Sequence, residues 1–158
     1  MKFATISGLI RRQFQDVERE YRFIGELMNE AEERQDDRLF LVVAMGLHGF
    51  YTGIEKIFET IAKQIDGSSS GDSGWHKDLL LQMSAKIANI RPEVITPSTY
   101  ELLLEFLAFR HVVRNNYTHK LEPERIRQLV QNLNPCYSAL ENDLTNFCQF
   151  LDEMNSHS

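Results

Sequence analysis

The residues of this chain whose types and spacing could do chemistry lie in one run, Arg110-His111-Val112-Val113-Arg114-Asn115-Asn116-Tyr117-Thr118-His119. Arg110 and Arg114 are four apart and fall on one face of a helix, where like charges repel unless something anionic compensates them. Two compensators are open: Glu55, set in the apolar stretch Tyr51 to Phe58, or a phosphate, whose oxygens an arginine fork matches in pairs. A neighbouring histidine can move a proton near neutral pH, and Tyr117 offers a stacking face for a base. Together these are the parts of metal-independent phosphodiester cleavage: a general base for a ribose 2′-OH and cations for the charge that develops. The same residues also read as a helix C-terminus decorated with cations that suit its dipole. Composition alone does not separate the two.

Other chemical signals are absent. The chain has no G-x-x-x-x-G-K-[ST], G-x-G-x-x-G, H-E-x-x-H or G-x-S-x-G motif. His111 and His119 sit eight apart without an obvious third ligand, and Cys136 and Cys148 are too few for a zinc site or a disulfide framework. Neither a metal nor a cofactor is therefore expected. The two cysteines read as small buried hydrophobes in a reducing cytoplasm. His48, inside an apolar run, reads as a hydrogen-bonded core or interface histidine, and His76, after Trp75, as helix-start chemistry with packing. A net charge of −6 argues against a protein that coats nucleic acid over its whole surface. The acids crowd into Glu18–Asp37 while Arg110–Arg127 is locally basic, so a local anion site is what the pattern allows.

The elements that must position this run are helices. At 158 residues the chain is one domain, 1–158, able to bury a core without staples. No signal peptide is read at the N-terminus, and the longest apolar run, Leu39–Leu47, is far short of the roughly 20 residues of a membrane span. Residues 5–34 carry Ile10, Phe14, Val17, Tyr21, Ile24, Met28 and Ala31 in steps of four and three, one helical face. Asp36 or Asp37 can cap the next helix, which runs through Phe50, Ile54, Ile57, Ile61 and Ile65 and carries Gly46, Gly49 and Gly53 near one face. Those glycines imply close approach of another element, or a kink. Residues 67–74 read as a flexible Gly/Ser-rich loop; Trp75–Ile90 reads as a shorter helix stopped by Pro92 and Pro97. Ser98-Thr99-Tyr100-Glu101 reads as a capping box for the helix that ends in the basic run. Glu122-Pro123 and Asn134-Pro135 each read as a helix start, and the last helix presents Tyr137, Leu140, Leu144, Phe147, Leu151 and Met154 before a frayed tail, 153–158. The expected architecture is all-α, an up-and-down bundle of five or six helices. Its first and last apolar seams face either the core or a dimer partner.

The order Phe50-Tyr51-Thr52-Gly53-Ile54-Glu55-Lys56-Ile57-Phe58-Glu59, then Trp75-His76-Lys77-Asp78-Leu79-Leu80, then Phe109-Arg110-His111-Val112-Val113-Arg114 and Tyr117 resembles the HepT-like branch of the HEPN superfamily. The resemblance spans about residues 5–152. It implies a helical bundle that forms a homodimer, a metal-independent endoribonuclease toxin acting on tRNA or mRNA, and a nucleotidyltransferase (MntA-like) antitoxin as partner. The motif of that family is R-x4-6-H, often R-x4-H-x-Y, two copies meeting across the dimer. Two registers carry it over. In the first, the arginine is Arg110 and the tyrosine Tyr117, but the histidine position holds Asn115, which takes up no proton near neutral pH. In the second, Arg114 and His119 satisfy R-x4-H, with Leu121 at the tyrosine position. The second is favoured because histidine can transfer the proton, which makes Arg114 and His119 the catalytic pair and Arg110 a helper. His111, Asn115, Tyr117, Lys120 and Glu55 then support RNA binding. In such pairs the partner adds AMP to the motif tyrosine, here Tyr117. The alternative is a lapsed HEPN domain that binds RNA, nucleotide or protein.

Overall fold

Burial follows the three-and-four spacing from the first turn. In the computed structural model, which describes residues 2–68, 74–116 and 120–157, helix α1 (Phe3–Arg34) buries Ile6, Ile10, Val17, Ile24, Met28 and Ala31. It ends where Gln35 takes a left-handed φ of 50° and returns its N–H to the Ala31 carbonyl. Asp36 then caps α2 (Asp37–Ile61), accepting the Arg38 N–H at 2.9 Å. Two residues turn the chain, so α1 and α2 run antiparallel. α2 continues into a π-helical turn, Ala62–Asp66, and is followed by α3 (Trp75–Met83), α4 (Pro97–Asn115) and α5 (Pro123–Ser156). These are five α-helices among the described residues, the all-α bundle that the spacing predicts. Residues 69–73 of the Gly/Ser-rich loop lie outside the described residues.

The middle of the bundle is α2, which packs against each of the other four helices. Its Phe40, Phe50, Tyr51 and Phe58 meet Phe106 and Phe109 of α4 and Leu140, Leu144 and Phe147 of α5 in one core. The apolar seams of α1 and α5 both face this core rather than solvent. On α5 the stripe stops at Leu151; Met154 is exposed. Cys136 and Cys148 are free and buried, behaving as small hydrophobes.

Three element boundaries differ from the sequence reading, each for a physical reason. α3 stops at Met83 instead of reaching Ile90. Its continuation is captured by Arg91, which is 3 % exposed and donates to the Gln82, Ala85 and Pro92 carbonyls and to both Asp66 oxygens. Val94 and Ile95 then enter the core. α4 is capped by Thr96, not Ser98: the Thr96 hydroxyl accepts the Thr99 N–H at 3.3 Å, and Pro97 takes the first-turn position. Asp143 of α5 holds this cap by accepting the Thr96 N–H at 3.0 Å. Finally, Pro135 lies inside α5, which begins at Pro123 and stays helical through Ser156. A mid-helix proline costs about 3 kcal/mol. The apolar stripe from Ile126 through Leu133 to Leu151 is buried on both sides of it, which outweighs that cost. Asn134 does not cap; it accepts the Tyr21 hydroxyl at 2.7 Å.

The α2 glycines admit α1 at close range. A β-carbon at Gly46 would lie 2.8 Å from Ile24 Cγ1, and one at Gly53 3.1 Å from Val17 Cγ2. Among the described residues nothing beyond its own helix backbone and chain neighbours lies within 4 Å of the corresponding position at Gly25. Opposite signs follow for the same substitution. Gly25→Ala is expected to stabilise by about 0.5–1 kcal/mol through helix propensity. Gly46→Ala is expected to lose about 1 kcal/mol net, because overpacking outweighs that gain. Urea denaturation midpoints of the two variants check this.

Candidate functional site

The basic run occupies the last turns of α4, and two other helices are brought against it. On α4, Phe106 and Phe109 point into the core, which turns Arg110 and Arg114 towards α2, α3 and solvent. Arg110 is mostly enclosed, its side chain 14 % exposed; Arg114 is exposed. Both line a pocket of about 790 Å³ with Trp75, His76 and Lys77 from the start of α3 and His111 and Asn115 from α4. Leu104, Leu107 and Ala108 form its apolar wall.

Glu55 faces Arg110, as an internal compensator should: its Oε1 lies 3.8 Å from Arg110 Nε. The stronger partner of Glu55 is His76, whose Nδ1 is 2.7 Å from Oε2. Arg110 Nη1 lies 3.4 Å from His76 Nε2 on the other side of the ring. Glu55 is only 4 % exposed, and burial pushes its carboxyl above the ordinary range, against the pull of His76 and Arg110. The indole of Trp75 stacks on the His76 ring, centroids 3.8 Å apart. The Tyr51 hydroxyl is buried near Glu55 without a partner among the described residues, and burial pushes its phenol up.

Asn115 turns back onto its own helix. Its amide nitrogen donates to the His111 carbonyl at 2.8 Å and lies 3.2 Å from His111 Nδ1. Arg114 forms no ion pair among the described residues, and Lys120 is exposed. Tyr117 and His119 lie outside the described residues.

His76 joins this site, and His48 lies within the electrostatic reach of its two arginines. His76 is a helix-start residue packed on Trp75, as read, but it also bonds Glu55. His48 of α2, read as hydrogen-bonded, has a buried Nδ1 with no partner among the described residues. Burial, and then the guanidiniums of Arg110 and Arg114, push the His48 imidazole below its ordinary value. Glu55 and His76 are 21 residues apart, and His76 and Arg110 are 34 apart. A polar residue in each of three apolar segments was the available signal; no local spacing links them.

An all-helical bundle with a cationic pocket where its third helix starts and its fourth ends is the class that this geometry defines. The family described as HepT-like protein matches residues 42–151, a span that includes every side chain of the pocket. The chain belongs to this HepT-like family of the HEPN superfamily. No curated protein and no solved structure matches it. No helix among the described residues is long and apolar enough to cross a membrane.

Proposed function

We propose that this chain is a metal-independent endoribonuclease toxin, active as a homodimer and held in check by a nucleotidyltransferase antitoxin. One observation carries the reading: Arg114 is presented on the rim of a pocket with no carboxylate paired to it among the described residues, beside Arg110, His111, Lys77 and His76. Such a rim suits a phosphodiester, whose charge rises as a 2′-oxygen attacks phosphorus. Arg114 and His119 remain the motif pair, with Arg110 as helper. Family membership supports the toxin reading and the pairing with an antitoxin. Tyr117, three residues beyond Arg114, would accept AMP from the partner enzyme, adding bulk and negative charge next to the motif. The exposed apolar side chains Val42 and Met45 of α2 suit a second copy of the chain, since the seams of α1 and α5 are filled from within.

The turned-back Asn115 favours one competing reading, a binding module that holds RNA without cutting it. Incubating the purified protein with total RNA in excess EDTA separates the two. Discrete fragments ending in 2′,3′-cyclic phosphate are expected. Retention of RNA without fragments, and no growth arrest on expression, would select the binding module.

A further inference from the structure

In one of the two registers Asn115 stands where a proton acceptor is needed, and the fold brings a histidine outside the motif, His76, to the same pocket. The contacts of His76 with Glu55 and Arg110 favour one tautomer. An arginine can only donate, so the contact from Arg110 Nη1 at 3.4 Å suits a lone pair on His76 Nε2. A neutral imidazole has one lone pair, so Nδ1 carries the hydrogen and donates it to Glu55 Oε2 at 2.7 Å. A buried carboxylate holding Nδ1–H, on a ring that lines a pocket, is the arrangement that orients a histidine as a general base. The Arg110 contact on Nε2 is long, so the guanidinium can leave it for a phosphate oxygen.

We infer that His76 is the general base of RNA cleavage in this chain, with Glu55 as its positioning residue. The inference rests on the ribonuclease reading above and moves the proton-accepting role from His119 to His76. His76 Nε2 takes the proton of the ribose 2′-OH; the 2′-oxygen forms a bond to phosphorus; the bond from phosphorus to the 5′-oxygen breaks. The leaving oxygen takes a proton from water, and the hydroxide so formed is neutralised by the proton on His76. The products are a 2′,3′-cyclic phosphate and a 5′-hydroxyl, and no oxidant or metal enters. The imidazolium formed in this step lies against the Glu55 carboxylate, which stabilises it.

The test compares the wild type, His76→Ala and His119→Ala on a short RNA, with and without added imidazole. His76→Ala is expected to cut about 10²–10⁴-fold more slowly, with part of the rate restored by imidazole. Wild-type rates from His76→Ala would overturn the inference while leaving the ribonuclease reading intact. So would an imidazole-rescued loss confined to His119→Ala. Failure of the wild type to cut RNA would remove both. Should His76→Ala fold poorly, 15N chemical shifts of the wild-type histidines decide independently: a hydrogen on His76 Nε2 in place of Nδ1 overturns the inference.

Discussion

Replacing Arg114 by alanine is expected to slow RNA cleavage by about 10²–10³-fold, the usual cost of removing one preorganised donor from developing charge, while leaving stability unchanged. Arg114 is exposed and pairs with no carboxylate among the described residues, so the fold loses nothing that it supplies. The same substitution at Arg110 should behave differently. It removes the cation facing a carboxylate that is 4 % exposed, and so should lower stability along with the rate. Lysine at 114 should restore only part of the activity, because an ammonium is a point charge and cannot fork across two phosphate oxygens. Cleavage rates under single-turnover conditions, beside thermal midpoints of the same samples, check both statements. Full activity in Arg114→Ala would remove Arg114 from the site and leave the pocket to His76, His111 and Lys77.

The largest loss of stability is expected away from the pocket, at Arg91. Its side chain is fully buried, and its guanidinium bonds Asp66 at 2.7 and 2.8 Å as well as three backbone carbonyls. Gln82 adds a bond to the same carboxylate at 2.7 Å. Breaking one side of such a buried pair typically costs about 3–5 kcal/mol, since the other charge stays buried alone. For a domain of this size that is a fall in Tm on the order of 10 °C. Asp66→Ala and Arg91→Ala should each show it. An apolar replacement of both residues together should recover much of the loss, because no charge is then left unpaired. Urea denaturation should show lower midpoints at unchanged slope. The effect should reach function as well. Arg91 fixes the segment between α3 and α4, and the pocket is built from the start of one and the end of the other.

The helices, their buried faces and the place of the basic run could all be read from the residues alone, since each is a local property. Three-and-four spacing marks which side of a segment is buried, and the buried faces of α1, α2 and α5 follow it. Pro123 marks the start of α5 correctly because nothing downstream contradicts it. The order of short motifs along the chain is enough to place the protein in its family.

Tertiary contacts decided the rest. Pro135 reads as a helix start in isolation, but one continuous apolar stripe carries α5 straight through it. Ser98 and Glu101 have the spacing of a cap, yet Thr96 caps α4 because Asp143 of α5 holds its N–H. The basic run at the end of α4, Arg110 to Asn115, shows the same division. Its charge and its four-residue spacing were plain from the sequence, whereas its chemical partners were not. Periodicity shows that Glu55 lies in a buried stretch but not what lies opposite it. Only the packing of α2, α3 and α4 brings that carboxylate to His76, and His76 to Arg110, because hydrogen-bond partners are chosen by distance in space and not along the chain.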